Sequence, residues 1–387
     1  MTKKMVFFGW LVTIIALFFY SFTQIDLGLT LTRASWWQSV QKWFQHIGYF
    51  QRPLSTAVYL GILISLFIFY FVILSQIRKN KLEEKQVWRL IFLTALILWL
   101  AYNAFSYDLF NYVMDAKMVT FYHKSPYTHR ALDFPGDPML GFMHWTHRYY
   151  PYGPSWLLFT IPLSFLGWQK LLPTLILFKG LGVVGYLLSC WGINGLLKRI
   201  NPEKRLVGLA VFAFSPLVVI EGLVSAHNDI LMMGLALFAL YFILEKKYWP
   251  AWLMLILSAG VKFVTAALIP IFVWVIYLYK QKKEINWQKI LSSSFVLMVM
   301  AVLAAIRRDE LKPWYLLYPL AFLPFLSQKK LVFWSLTGLS LSVLLHYAPF
   351  LYQGNWNPPV PTLKLWVTIG FLALGTVVGV IQSLKKD

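Results

Sequence analysis

The chain has one cysteine in 387 residues. Cys190 therefore cannot form an intrachain disulfide, and its apolar neighbours mark it as a packed thiol. Charge is scarce as well. Asp, Glu, Lys and Arg make up 13% of the chain against 59% hydrophobic residues, and the mean hydropathy is +0.63. Such values exclude an ordinary soluble domain. Acidic residues are fewest, 15 against 35 Lys and Arg. That excess could suit nucleic acid, but the basic residues punctuate apolar runs instead of gathering in one stripe, so no nucleic-acid partner is expected. HExxH, paired CxxC and P-loop patterns are missing. His144 and His147, three apart, could share a metal, although tyrosine-rich loops carry such pairs by chance. There is no fixed-period repeat and no low-complexity segment. No small-x-small cleavage site follows Thr2-Lys3-Lys4 and the first apolar run, which predicts an uncleaved first span.

What the sequence does have is apolar length. Runs near the ~20 residues a bilayer needs cover 6–24, 55–77, 87–105, 171–197, 206–224, 230–244, 249–260, 263–279, 289–306, 313–327, 331–350 and 362–384. The expected fold is all-α, a single integral membrane domain over 1–387 with about 12–13 transmembrane helices. The run 152–168, broken by Pro154 and Pro162, is expected to be re-entrant or surface-lying. Eighteen Trp and 21 Tyr suit aromatic belts. With the N-terminus in the cytoplasm, 21 of the 35 Lys and Arg fall in inner loops, Lys385 and Lys386 among them, as positive-inside anchoring requires. All seven histidines then lie at the outer side, which predicts outward-facing chemistry.

Residues 101–156 concentrate the proton-exchanging groups in an outer loop, 106–151. Asp108, Asn111, Tyr112 and Asp115 share one face of a predicted helix. Phe110, Val113, Met114, Lys117 and Phe121 form the opposite face, suited to lying on a membrane surface. Asp108 follows a span directly. A carboxylate at that boundary is partly desolvated, which raises its pKa and suits a general base; the alternative is a helix cap.

Three further groups stand out. Glu221 lies within a span, where an ionised acid needs a partner. His227-Asn228-Asp229 then form a polar turn opening outward, unless Asn228 and Asp229 merely cap the next helix. Lys262 sits between two short helices and could snorkel. Arg307 and Arg308 lie on the side that basic residues avoid. Their forks suit phosphate oxygens, and the alternative is pairing with Asp309 and Glu310.

Taken in order, Asp108, Tyr112, Ser125-Pro126-Tyr127, Tyr150-Pro151-Tyr152-Gly153-Pro154, His227-Asn228-Asp229, Lys262 and Pro313-Trp314-Tyr315 make the chain resemble a GT-C superfamily glycosyltransferase. Within it, the resemblance is to bacterial polyprenol-phosphate-mannose-dependent mannosyltransferases, with Ser125 in place of the family's Asn and Ala226 in place of its Gly. The resemblance implies a catalytic core over 78–327. It also implies a polyprenyl-phosphate sugar donor, a glycan or glycolipid acceptor, contact with membrane lipid, and an aspartate base in the first outer loop. On that reading Asp108 takes the acceptor proton and the anomeric centre inverts. Arg307, Arg308 and Lys262 hold the donor phosphate, while Tyr112, Asp115, Tyr127, Tyr152, Glu221, His227, Asn228 and Asp229 shape the cavity or acceptor site. Asp229 with His227 would position the acceptor or carry a divalent cation, if one is used. A transporter or flippase of lipid-linked sugars is the alternative. It would want inverted repeats and midplane charges, and neither stands out. A lipid-linked glycan polymerase would want a larger late loop than 353–362.

Overall fold

The structure, a computed structural model, describes residues 2–385; Lys386, counted with the inner anchors, lies outside them. Among the described residues every regular element is a helix. Seven helices are long and apolar enough to cross a bilayer: Lys3–Gln24, Arg52–Arg78, Leu171–Ile200, Phe263–Lys280, Trp287–Ile306, Lys330–Gln353 and Val360–Leu384. A bent pair, Pro202–Ala213 with Val218–Val224, makes an eighth if counted as one span. The chain is thus an all-α polytopic membrane protein.

In chain order the α-helices are α1 (Lys3–Ser21), α2 (Ser35–Gln45), α3 (Arg52–Arg78), α4 (Glu84–Trp99), α5 (Asp108–Thr120) and α6 (Pro154–Leu166). They continue with α7 (Leu171–Ile200), α8 (Arg205–Ala213), α9 (Asp229–Leu244), α10 (Tyr248–Val261), α11 (Ile269–Lys280) and α12 (Trp287–Ile306). The last are α13 (Leu317–Leu320), α14 (Leu323–Leu326), α15 (Lys330–Leu345), α16 (Tyr347–Gln353) and α17 (Val360–Leu384).

Several expected spans are shorter than a bilayer because protein, not lipid, surrounds them. Helix α9 is buried along nearly its whole length and packs on α7 and α10. A Cβ at Gly234 would meet the Gly185 carbonyl, so two glycines let these backbones touch, as in small-residue membrane interfaces. The run 313–327 is a chain of short helical pieces broken at Ala321 and Phe322, with Pro319 and Pro324 in the pieces on either side, and it is buried from Leu316 to Leu326. Irregular backbone at membrane depth is tolerated where protein encloses it. Residues 154–166 of the ambiguous run form α6, which packs on α5, α7 and α10.

Loops assigned to the inner face converge. Lys3 pairs with Glu83 at 3.0 Å, Arg199 with Glu245 at 2.7 Å, and Arg205 with Glu84. The segments 2–4, 79–89, 198–205 and 245–247 therefore share one end of the molecule.

Helix α5 departs from the expectation that it lies on a membrane surface. Phe110, Val113 and Met114 are buried in protein, and only Phe121 of that apolar face is exposed. Its neighbours α6 and α7 cover it, so both faces work inside the molecule.

Candidate active site

Two segments remote in sequence bring the site together. The first is α5, whose N-cap is Tyr107, so Asp108 is the first helical residue and not the cap. The second is a π-helical turn, Val218–Val224, buried throughout. The wider π turn sets Glu221 at its centre, and the chain then turns at Ala226, φ +53°. That left-handed conformation favours glycine and costs alanine roughly 1–2 kcal/mol. The turn is fixed by His227 N–H donating to the Glu221 carbonyl at 3.1 Å and by Lys179, whose Nζ donates to the Leu223 and Val224 carbonyls at 2.9 and 2.8 Å.

The result is a row of side chains. Tyr347 donates to Glu221 Oε1 at 2.9 Å. Glu221 Oε2 lies 3.3 Å from His227 Nε2, and His227 Nδ1 lies 3.5 Å from Asp108 Oδ2. Trp314 stacks on the imidazole with ring centres 4.1 Å apart. Beside this row, Lys262 Nζ donates to both Asp229 oxygens at 2.9 and 2.8 Å, and Tyr318 donates to Oδ1 at 2.7 Å. Lys262 therefore does not snorkel. It is set by the close approach of α6 and α10, where Gly153 N–H donates to the Val261 carbonyl at 3.1 Å. A Cβ at Gly153 would overlap the Gly260 carbonyl. That contact also carries the Tyr152 ring to 5.7 Å from the Lys262 ammonium.

Electrostatics separate the two aspartates of α5. Burial alone would raise the Asp108 carboxyl. The neighbouring His227, with Lys262 and Arg148, outweighs burial and holds Asp108 below the ordinary carboxylate range. The expected upward shift at the membrane boundary is thus reversed. Asp115 behaves the other way: burial, aided by the charge of Asp108, pushes it well above that range. Burial pulls the His227 ring down, yet Asp108 and Glu221 beside it overcome that and push it up to about 9.

Two cavities meet at Asp108. One, of about 900 Å³, is lined by Asp108, Asp115, Tyr152, Lys262 and a basic rim of Arg148, Arg307, Arg308 and Lys312. The other, of about 350 Å³, is mainly aromatic, with Trp145, Trp314, Phe350 and Trp356 on its walls. Asp108, Trp145, Lys312 and Trp314 belong to both. The alternative reading, pairing of Arg307 and Arg308 with Asp309 and Glu310, does not form. Lys312 takes Asp309 and Glu310, and Lys364 takes Glu310, which leaves both arginines exposed on the cavity rim.

Other expected site residues stand behind the wall. Glu221, His227, Asn228 and Asp229 are buried, so their turn does not open to the outside. Asn228 leaves both amide atoms without a partner and makes no side-chain cap for α9. Tyr112 is buried, packed edge-on against Tyr152 and Trp156. Tyr127 sits away from the cavity, 45% exposed, its hydroxyl donating to the Tyr152 carbonyl at 3.3 Å. The Asp229–His227 pair does not assemble a cation site, since Lys262 and Tyr318 occupy Asp229. Among the described residues no three His, Cys, Asp or Glu side chains are grouped to hold a metal. His144 stacks on Tyr107 at 3.7 Å.

Sequence reasoning missed Arg148, Tyr318, Tyr347 and Lys179. A buried lysine inside a span was a usable signal. Tyr347 carried none.

A family model described as Alpha-(1->6)-mannopyranosyltransferase, N-terminal domain, matches residues 10–278. Among curated proteins, Alpha-(1->6)-mannopyranosyltransferase A of Corynebacterium glutamicum is 24% identical over 171 residues, which cover 44% of this chain and 34% of that protein. The chain thus matches about a third of that relative's length. No solved structure is significantly similar. The matched region contains Asp108, Glu221, His227, Asp229 and Lys262, and stops before Arg307, Trp314 and Tyr347.

Proposed function

Because the chain belongs to the alpha-(1->6)-mannopyranosyltransferase family, we propose that it is a membrane mannosyltransferase. Its donor is a mannose on a polyprenyl phosphate, its acceptor a hydroxyl of a glycan or glycolipid, and its site faces outward. The observation that carries this reading is the single carboxylate, Asp108, where a basic cavity and an aromatic one meet. Arg148, Arg307, Arg308 and Lys312 on the larger cavity suit a lipid phosphate. The tryptophans of the smaller suit the CH faces of an acceptor sugar.

In the transfer the acceptor oxygen attacks the anomeric carbon and forms the new C–O bond. The bond from that carbon to the phosphate oxygen breaks, and its electron pair leaves on the phosphate. The acceptor proton goes to Asp108. One displacement inverts the centre. An aspartate held below the usual range is a weak base toward a resting hydroxyl. It takes the proton late, once bonding to the anomeric carbon has acidified that hydroxyl. The developing charge on the leaving phosphate meets the arginine rim, where fixed cations lower the barrier. Lys262, already held by Asp229, acts less as a phosphate clamp than as a brace for the cavity wall.

Asp108→Asn keeps the shape and removes the acceptor of the proton. Its transfer from polyprenyl-phosphate mannose should fall by ~10²–10⁴-fold, with a thermal melt near that of the unaltered protein. Full activity in the folded variant would remove Asp108 from the chemistry.

A further inference from the structure

Resting on the reading of Asp108 as the proton acceptor, we propose that Glu221 and Tyr347 are positioning residues acting through His227. They hold it as a doubly protonated ring that fixes one oxygen of Asp108 and leaves the other for the acceptor.

The geometry itself assigns the charge of the ring. Nδ1 lies 3.5 Å from the Asp108 carboxylate and Nε2 3.3 Å from the Glu221 carboxylate, at ion-pair distance and outside hydrogen-bond alignment. A neutral imidazole has one N–H and one lone pair, so either tautomer would aim a lone pair at a carboxylate in a buried place. A proton on each nitrogen removes that conflict. The indole of Trp314 stacks on the ring, tilted by 24° with centres 4.1 Å apart, a setting that favours a cation. The Tyr347 hydroxyl donates to the remaining Glu221 oxygen, which fixes its orientation.

Charge accounting shows what Glu221 contributes. With the ring protonated, Asp108, His227 and Glu221 sum to −1. When Asp108 receives the acceptor proton, the set becomes neutral, which a buried site favours. With Glu221 neutralised, the same step would take the set from neutral to +1, which a buried site resists. Glu221 thus offsets the loss of basicity that His227 alone would impose on Asp108. The charged and titratable neighbours are consistent with this balance. Asp108 arrives from α5 and Glu221 from the π turn, with Tyr347 of α16 behind Glu221. Lys262 and Arg148 act on Asp108 from across the cavity; of the other acids nearby, Asp229 is committed to Lys262 and Tyr318, and Asp115 is pushed up by burial and by Asp108 itself. The shift of the ring to about 9 agrees. The ring should therefore stay charged through neutral pH and lose its proton as pH rises through that value.

The test uses the full chain in lipid nanodiscs, with a synthetic polyprenyl-phosphate mannose and a short mannose oligosaccharide, assayed from pH 6 to about 10. Glu221→Gln keeps the shape and removes the charge. It should lower kcat by ~10-fold or more, leave the donor KM within about twofold, and move the alkaline fall of activity down by about one pH unit or more. Tyr347→Phe, which removes one hydroxyl, should move it in the same direction by less. His227→Gln should be slow, with no alkaline fall of its own. A Glu221→Gln profile superimposable on that of the unaltered protein, or a loss residing wholly in KM, would overturn the proposal. If Glu221→Gln fails to fold, Tyr347→Phe decides by the same criterion. Asp108→Asn distinguishes the two levels. If it is inactive while the Glu221→Gln profile is unchanged, only the positioning role falls; if it is active, the base reading falls and takes the positioning role with it.

Discussion

Asp108 and Asp115 stand two turns apart on one helix, about 10.5 Å at ~1.5 Å per residue, and their surroundings shift their carboxyls in opposite directions. His227 outweighs burial and holds Asp108 below the ordinary carboxylate range, while burial and the charge of Asp108 push Asp115 well above it. A protonated carboxyl and a carboxamide have nearly the same shape and no net charge. Asp115→Asn should therefore keep transfer within about tenfold of normal, where Asp108→Asn loses ~10²–10⁴-fold. The check is steady-state transfer by both purified variants at pH 7, beside a melt. The face carrying both residues was legible from spacing. Their protonation was not, because the ring that decides it is far along the chain. A solvation argument from the membrane boundary gave Asp108 the wrong sign, since it lacked His227.

At the scale of elements, α2 inverts the usual order of faces. Its glutamines are the buried side: Gln41 donates to the Leu29 carbonyl at 2.6 Å and Gln45 to the Asp26 carbonyl at 2.9 Å. Its outward side shows Trp36, Val40 and Trp43 at 69%, 38% and 60% exposure. An apolar stripe aimed away from the protein, next to the start of the span α3, fits a helix lying in the lipid interface. Spin labels at 36 and 43 should be quenched by a lipid-soluble relaxer, and labels at Ser35 and Lys42 by an aqueous one. Aqueous quenching at all four would place α2 in water. Long spans such as α1, α3 and α7 could be read directly from apolar length. Helices wrapped in protein could not, because a protein neighbour and a lipid neighbour select the same residues. That is why the amphipathic α5 looked like a surface helix, and why the run 313–327 hid its break at Ala321 and Phe322.

For the whole molecule, the arrangement of basic loops and the residues behind the wall were legible, but their joining into one row with Asp108 and Tyr347 was not. The inner-loop assignment came from counting Lys and Arg, and the ion pairs Lys3–Glu83, Glu84–Arg205 and Arg199–Glu245 bring several of those loops together. Sidedness follows as an expectation. Cysteines at the exposed positions His147 and Asn355 should react with an impermeant thiol reagent in intact cells, and those at Arg199 and Lys283 only after lysis. Reversal of that pattern would invert the topology. Position 229, attractive from sequence, is useless as a reporter because Asp229 is fully buried.

Asp108, Trp145, Lys312 and Trp314 belong to both cavities, so they act as a party wall between two lodgers. The proposed chemistry gives Asp108 a proton and no covalent sugar, so neither product forms until both substrates are in place. The kinetic signature is a ternary complex. Double-reciprocal plots of rate against donor, taken at several acceptor concentrations, should intersect. Parallel lines would mean that a sugar is stored on the protein between the two half-reactions.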